Sequence, residues 1–144
     1  MVLADISSEA LKVARDNAKL NGVFDRCSLV ESDLFLDVPD KRFDMIVSNP
    51  PYIRSSEIPK LSREIREYEP LQALDGGEDG LDFYRRIIIN AGRYLGPGGI
   101  LAFEIGYDQG VAVSGLIKLT DQYRNVAVIQ DLAGLDRVVV AERG

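Results

Sequence analysis

The chain has no histidine, no tryptophan and a single cysteine, Cys27, among its 144 residues. Without histidine the usual imidazole base is missing, and one cysteine alone makes neither a thiol protease nor a zinc site, so no metal site is predicted. An internal disulfide is impossible, and no charged-then-apolar leader opens the chain, which together favour a reducing cytoplasm. Any chemistry must therefore use amides, carboxylates, hydroxyls or the backbone.

The chain also lacks long apolar runs and an excess of positive charge. Its apolar runs are far shorter than the ~20 residues that a membrane-spanning helix needs. The net charge of −6 provides no basic field for a nucleic-acid backbone, so direct nucleic-acid binding is not expected. What is present is an ordinary globular composition, with 46% hydrophobic and 28% charged residues, long enough for one domain around one core.

Apolar periodicity predicts strands that alternate with helices. A helix runs between Ser7 as its N-cap and the stop signal Asn21-Gly22, and further helices are expected at 81–95 and 111–119. Between 53 and 80 the periodicity gives way to a long surface excursion that contains a helix around Leu61 to Tyr68. The pattern predicts an α/β fold with a mostly parallel sheet and helices on both faces. Its strands are expected at 2–6, 28–31, 43–47, 100–105, 125–130 and 137–142.

Polar side chains close four of these apolar runs: Asp5, Asp33, Asn49 and Glu104. Ligands of open α/β sheets collect at the carboxyl ends of the strands. If the four strands lie side by side, the four side chains border one crevice.

Two of these carboxylates have both a functional and a purely structural interpretation. Asp5 stands between a strand and a helix, where a carboxylate can accept both hydrogen bonds of a ribose diol, although an Asp there also stabilises a turn and a helix start. Asp33 can accept from the amino group of an adenine, with Leu34 as an apolar edge for the ring, but an Asx-turn explains it about as well.

The stretch Asn49-Pro50-Pro51-Tyr52 is more specific. Two consecutive prolines remove two backbone donors, fix two φ angles and keep the preceding Asn49 extended. A planar nitrogen that attacks a methyl group needs both its hydrogens held by acceptors, and the Asn49 side-chain oxygen and the Pro50 carbonyl can provide that pair. Tyr52 can pack against the flat face of the target group. The alternative, a rigid turn that leaves a strand, rarely requires this combination.

These residues resemble a class I S-adenosylmethionine-dependent methyltransferase, and Asn-Pro-Pro-Tyr is similar to the motif of enzymes that methylate planar nitrogens in DNA, ribosomal RNA and proteins. The flanking sequences narrow the resemblance to the HemK/PrmC family, which methylates the glutamine of the Gly-Gly-Gln motif of peptide-chain release factors. They are Tyr68-Glu69-Pro70, Ala73 to Gly77, Asp79-Gly80-Leu81 with Tyr84-Arg85, Phe103 to Gly106 with Gln109, and Asp131 to Gly134 with Asp136-Arg137-Val138.

The resemblance implies roles by position. Asp5 corresponds to the acid that binds the ribose of S-adenosyl-L-methionine, Asp33 and Leu34 to residues beside its adenine, and Asn49 to a further cofactor contact. Asn49, Pro50, Pro51 and Tyr52 are similar to the clamp on the substrate glutamine, so that Asn49, Pro50 and Tyr52 are the expected catalytic residues. The excursion at 53–80 would flank the path along which the release-factor loop approaches.

The family also has an N-terminal helical domain and, before the position of Asp5, a first strand with a Gly-rich loop; neither is found in residues 1–144. The resemblance therefore implies an N-terminally truncated catalytic domain at 1–144, without a second domain. We expect a gap between 2–6 and 43–47, exposed apolar edges that favour self-association, and weakened cofactor affinity.

Two alternatives remain open from the sequence. One is a ribosomal RNA or DNA N-methyltransferase of the Asn-Pro-Pro-Tyr type, and the other is a non-catalytic remnant that binds a partner through its exposed sheet edge.

Overall fold

A computed structural model describes residues 1–144, which form two compact units at 1–41 and 42–144. The single-domain organisation expected from the sequence stays a prediction.

The first unit is a strand–helix–strand motif. Strand β1 (Val2–Asp5) pairs in parallel with β2 (Ser28–Glu31), and helix α1 (Ser8–Leu20) connects them and packs on both. The Ser7 hydroxyl caps the helix by accepting from the Ala10 amide at 3.2 Å. Gly22 follows the helix with φ +64°, a left-handed conformation that glycine adopts without strain. Both ends of this helix lie where the sequence predicted them.

The second unit is a four-stranded sheet in the order β3-β4-β6-β5 with four helices. Helices α4 and α5 pack against each other and on the sheet, whereas the short helices α2 and α3 lie in the excursion at 53–80. The elements are β3 (Phe43–Ser48), α2 (Arg63–Tyr68), α3 (Leu71–Leu74), α4 (Asp82–Tyr94), β4 (Leu95–Glu104), α5 (Gly110–Lys118), β5 (Tyr123–Gln130) and β6 (Asp136–Arg143).

The α/β fold expected from the sequence is confirmed, and its strand pairings are mixed. Strands β1 and β2, and likewise β3 and β4, run in parallel, whereas β6 pairs antiparallel with both β4 and β5. The physical reason lies in the connection from β5 to β6, a tight turn closed by hydrogen bonds between Asp131 and Leu135. So short a connection can join only antiparallel strands.

Strand β4 begins five residues earlier than predicted. The run Gly96-Pro97-Gly98-Gly99, which falls between the helix predicted at 81–95 and the strand predicted at 100–105, lies within the strand, where the register against β3 shifts between Phe43 and Met45. Gly98 has φ +75°, and a side chain at Gly99 would approach the Gly96 carbonyl oxygen to 2.9 Å. Glycines thus permit an irregular strand start that composition alone reads as a turn.

The core of the second unit is formed by one face of β4 and the helices packed on it. Alternate residues Leu101, Phe103 and Ile105 are fully buried, as the period of a strand requires. The Phe103 and Tyr84 rings meet edge to face with centroids 5.3 Å apart. Further core side chains come from α4 and α5, namely Ile87, Ile88, Ala91, Val113 and Ile117.

Strand β3 lies at an edge of its sheet, and its Met45 and Val47 side chains are exposed. The exposed apolar edge agrees with the expectation, while self-association through it stays a prediction. No helix of the chain has the length and apolar character needed to cross a membrane.

The position of Leu101 predicts a large loss of stability on truncation. Leu101→Ala should lower the free energy of unfolding by about 2–5 kcal/mol, because it leaves a cavity under the central strand. Leu132→Ala is the matched control, since Leu132 is fully exposed and should change the value by less than about 0.5 kcal/mol. Urea denaturation of the two variants tests this, and equal midpoints would contradict the assignment of the core.

Candidate functional site

The Asn-Pro-Pro-Tyr segment leaves the carboxyl end of β3, next to the end of β4. Ser48, the last residue of β3, is in register with Phe103, and the two strands are parallel. Asn49 and Glu104 therefore follow paired positions on the same edge of the sheet. This is the placement that the sequence predicted for these two residues.

The proposed acceptors of the segment are not consumed by the protein itself. Asn49 is exposed, whereas the ring of Pro50 is buried and anchors the segment. The Asn49 side chain and the Pro50 carbonyl oxygen take part in no hydrogen bond of the chain. An amide oxygen and a carbonyl oxygen are thus available to a ligand at this edge.

Tyr52 is held by a hydrogen bond to its backbone carbonyl and by the close packing of Gly106 against its ring. Its carbonyl oxygen accepts a hydrogen bond from Gln109 Nε2 at 3.1 Å. Its ring lies so close to Gly106 that a Cβ there would be 3.4 Å from Tyr52 Cδ2. Gly76 also approaches the segment closely: a Cβ there would be 2.7 Å from Tyr52 Cα and 2.8 Å from the Pro51 oxygen.

The excursion at 53–80 is folded back on the segment. The Ile53 amide donates to the Leu74 carbonyl at 3.0 Å, and the Gly76 amide donates to the Ile53 carbonyl at 2.8 Å. The helix predicted around Leu61 to Tyr68 is confirmed as α2, whereas α3 was not predicted, because it is a single turn without apolar periodicity. The excursion therefore returns to the residues from which it departs.

Two carboxylates keep the end of the excursion in place. Asp75 Oδ1 accepts from the Ser55 hydroxyl at 2.7 Å and from the Gly77 amide at 2.9 Å, and these bonds lower the pKa of Asp75. Asp79 Oδ1 accepts from Arg85 Nη1 at 3.0 Å, and the hydrogen bond to Arg85 is the main cause that lowers the pKa of Asp79 to about 2. Both groups are ionised at neutral pH.

Behind the segment, Tyr84 connects α4 to the end of β4. Its hydroxyl donates to the Glu104 carbonyl at 2.9 Å. Burial raises the pKa of the Tyr84 phenol, and the nearby Tyr52 and Glu104 raise it further. Tyr84 is thus a neutral donor that fixes the carboxyl end of β4.

In the first unit, Asp5 and the residues after β2 share one end of the parallel pair. Asp5 is in register with Glu31, the last residue of β2, so Asp33 follows at the same end. Asp5 Oδ1 accepts from the Ser7 amide at 2.8 Å, which shows its turn-stabilising role for one of its two oxygens. Leu34 has φ +55°, a conformation that leucine rarely adopts.

A residue that the sequence did not single out builds this loop. Ser32 is buried; its hydroxyl donates to the Leu34 carbonyl at 3.1 Å and accepts from the Asp37 amide at 3.0 Å. The signal was weak, because a serine before an aspartate is common in any turn. Gly76, Gly80 and Gln109 of the second unit likewise carry no sequence signal of their own beyond the resemblance to the family.

The side chains at these strand ends are hydrogen-bond acceptors and apolar contacts rather than metal ligands. No group of three or more His, Cys, Asp or Glu residues could hold a metal ion. Two carboxylates at one end of the strand pair, the second followed by a leucine, suit a ligand with hydroxyl and amino donors and an aromatic ring, such as an adenosine moiety. The crevice that would join Asp5 and Asp33 to Asn49 and Glu104 stays a prediction.

The fold is that of class I S-adenosylmethionine-dependent methyltransferases. A methyltransferase from Pyrococcus furiosus covers 99% of the chain with a TM-score of 0.70 at 20% identity, and 62% of that structure is matched. A ribosomal protein L11 methylase from Lactobacillus delbrueckii matches with a TM-score of 0.65 at 20% identity. The match covers 99% of this chain and 57% of that structure. An N-methyltransferase from Bradyrhizobium japonicum in complex with S-adenosyl-L-homocysteine matches with a TM-score of 0.57 at 15% identity. The match covers 99% of this chain and 65% of that structure.

Sequence comparison is more specific. The family model described as Methyltransferase small domain matches residues 1–66. A release factor glutamine methyltransferase from Clostridium acetobutylicum is 44% identical over all of this chain and 51% of its own length. One from Thermodesulfovibrio yellowstonii is 45% identical over 96% of this chain and 49% of its own. The chain is thus similar in sequence to release factor glutamine methyltransferases, which its motifs resemble, and spans about half of their length.

The close approach at Gly76 yields a stability prediction. Gly76→Ala should lower the free energy of unfolding by about 1–3 kcal/mol, because its Cβ would meet backbone atoms of Pro51 and Tyr52 that cannot move aside. Gly115→Ala is the control: Gly115 lies in α5 with open space around its Cβ, so alanine should be neutral or stabilise by about 0.5–1 kcal/mol. Thermal unfolding of both variants measures the difference. A tolerated Gly76→Ala would mean that the excursion does not brace the segment.

The Asp79–Arg85 pair predicts a pH-dependent contribution to stability. The folded pKa of Asp79, about 2, lies below its ordinary 3.8, so the pair stabilises the fold fully above pH 4 and loses this effect as pH falls towards 2. The difference in unfolding free energy between wild type and Asp79→Asn should therefore shrink over that interval. Asp16→Asn, at an exposed carboxylate of α1 without an ion-pair partner, is the control. A difference that stays constant down to pH 2 would refute the assignment.

Proposed function

We propose that this chain is the catalytic part of a release factor glutamine methyltransferase, which transfers a methyl group from S-adenosyl-L-methionine to a glutamine side-chain nitrogen of a peptide-chain release factor. The observation that carries the proposal is the state of the Asn49-Pro50 acceptors. They stand unbonded at the carboxyl end of β3, on a segment whose neighbours are held firmly.

These acceptors suit a primary amide. Asn49 Oδ1 and the Pro50 carbonyl each accept one of the two N–H hydrogens of the substrate amide, which orients its nitrogen. The Tyr52 carbonyl already accepts a hydrogen bond from Gln109. The Pro50 carbonyl is therefore the second acceptor that this segment offers to the substrate amide. The Tyr52 ring provides a flat apolar surface for the amide plane.

No strong general base is required for this reaction. The cofactor, when bound, supplies a methyl group attached to a sulfonium sulfur. This sulfur leaves readily as a neutral thioether when the methyl group is transferred. The amide nitrogen can then lose its proton to water or to an acceptor of the site. A chain without histidine is consistent with this chemistry.

The first unit offers the residues for the cofactor. Asp5, whose second carboxylate oxygen is not used by the turn, would accept from the ribose hydroxyls, and Asp33 with Leu34 would border the adenine. The left-handed conformation of Leu34 is in keeping with this, because backbone strain of this kind clusters at ligand sites. Asn49 would be a further cofactor contact.

The alternatives are less well supported. The names of the curated relatives do not favour a ribosomal RNA or DNA substrate, and the net charge of −6 provides no basic field for one. A non-catalytic remnant would have no need for unbonded acceptors on a braced segment. A release factor as partner and the single cysteine also favour the cytoplasm.

Asn49→Ala tests the proposal directly. Loss of one aligned acceptor should reduce methyl transfer to a purified release factor by about 10²–10³-fold at unchanged stability. Asn90→Ala, on the exposed surface of α4, is the matched control and should keep wild-type activity. Labelled S-adenosyl-L-methionine gives the rate, and a Gln→Ala release factor shows whether the glutamine is the acceptor.

Because the chain spans half of its relatives' length, the assay needs a second form. A chimera that supplies the remaining length from the Clostridium acetobutylicum relative should be active with Asn49 in place and inactive when it carries Asn49→Ala. Transfer to RNA instead of the release factor, or equal rates for the chimera with and without the substitution, would overturn the proposal.

A further inference from the structure

Gln109 is a buried glutamine whose side chain is fully engaged. Only 3% of its surface is exposed. Its Nε2 donates to the carbonyl oxygens of Tyr52 and Gly80, each at 3.1 Å, and its Oε1 accepts from the Gly106 amide at 3.0 Å. One side chain therefore joins the Asn-Pro-Pro-Tyr segment, the end of the excursion and the turn before α5.

The surrounding glycines are shaped around this amide. A Cβ at Gly80 would lie 2.4 Å from the Tyr52 oxygen and 2.9 Å from Gln109 Nε2, and Gly80 has φ +76°. A Cβ at Gly106 would lie 3.0 Å from Gln109 Oε1. Any side chain at either position would push the amide away from its partners.

The prolines alone do not determine where the carbonyls of the segment point. They fix φ at two positions, but ψ, which sets the direction of each carbonyl, remains free. The Tyr52 carbonyl is the one that Gln109 fixes, and it is turned towards Gly80. Holding it there limits the rotations open to the peptide groups before it, including that of Pro50.

We infer that Gln109 is a positioning residue for methyl transfer: its two amide hydrogens hold the Tyr52 carbonyl against Gly80 and so orient the Asn49 and Pro50 acceptors. The inference rests on the proposed function. Gln109 touches neither substrate nor cofactor in this role, so its loss should lower kcat while the KM for S-adenosyl-L-methionine is unchanged.

Gln109→Glu separates the donor role from shape. The glutamate keeps an acceptor for Gly106 but, when ionised, presents an oxygen to two carbonyl oxygens, so kcat at pH 8 should fall about 10- to 100-fold. Burial and the two carbonyls raise the pKa of this carboxyl, and the protonated acid can donate one of the lost bonds. The kcat ratio of variant to wild type should therefore recover as pH falls from 8 to 6.

Three further variants serve as controls for the pH dependence of kcat in Gln109→Glu. Gln109→Leu should lose activity without recovery at low pH, while Gln130→Glu and Gln130→Leu, at an exposed position of β5, should behave as wild type. The titratable groups around Gln109 are Tyr84, Tyr52, Glu104, the Asp108–Arg54 and Asp79–Arg85 ion pairs, and Asp136, which lies against Gly110. These groups are present in every variant, so their titration also appears in the wild-type pH profile and cancels in the kcat ratio of variant to wild type.

A readout independent of activity uses ¹H–¹⁵N spectra of the chain. The Gln109 side-chain amide hydrogens should exchange far more slowly with solvent than those of the exposed Gln130. In Gln109→Glu, the backbone amides of Ile53 and Leu81, which share peptide groups with the two carbonyls, should shift with pH in step with kcat.

The two arms distinguish the two proposals. If the wild-type chain and chimera transfer no methyl group to the release factor, the proposed function fails, while the spectra still decide whether Gln109 holds the carbonyls. Fast exchange of the Gln109 amide, or a Glu variant with wild-type kcat from pH 8 to pH 6, overturns the inference. Variants that lose thermal stability but keep kcat would reduce Gln109 to a structural residue.

Discussion

The two adjacent prolines after β3 constrain how the second unit can hold the segment that follows this strand. They deprive the backbone of two donors at the edge of a sheet, so the segment cannot be held by ladder hydrogen bonds. Other parts of the chain hold it instead: the buried ring of Pro50, the close approach of Gly76 and the amide of Gln109. The cost of that arrangement is a set of glycines and one buried polar side chain; its result is a rigid loop with unbonded acceptors.

The excursion at 53–80 acquires a structural meaning from the same constraint. Its charged composition predicted a long surface excursion, and its two ends are hydrogen-bonded to each other and to α4. Asp75 and Asp79 are hydrogen-bonded at the return point, and Gly76 and Gly80 lie against the prolines and Tyr52. The excursion therefore serves as a brace for the segment while α2 remains on its outer side, free of buried residues.

The sequence predicted what depends on periodicity and on local chemistry. The caps of α1, the cores of α4 and β4 and the exposed Asn49 all follow from spacing, from proline geometry or from a helix signal. It did not predict the early start of β4 or the antiparallel place of β6, since register and strand order depend on contacts between distant residues. Gln109 was missed as an anchor for the same reason: its partners lie 29 and 57 residues away.

The pKa shifts of the groups around the segment predict that its anchors keep their charge state around neutral pH. Hydrogen bonds lower the pKa of Asp75 and Asp79, so these anchors stay ionised well below neutrality. Burial raises the pKa of Tyr84, so this donor stays neutral well above it. The amide of Gln109 does not titrate at all. The proposed function, which depends on orienting a nitrogen, benefits from anchors whose charge does not change around neutral pH.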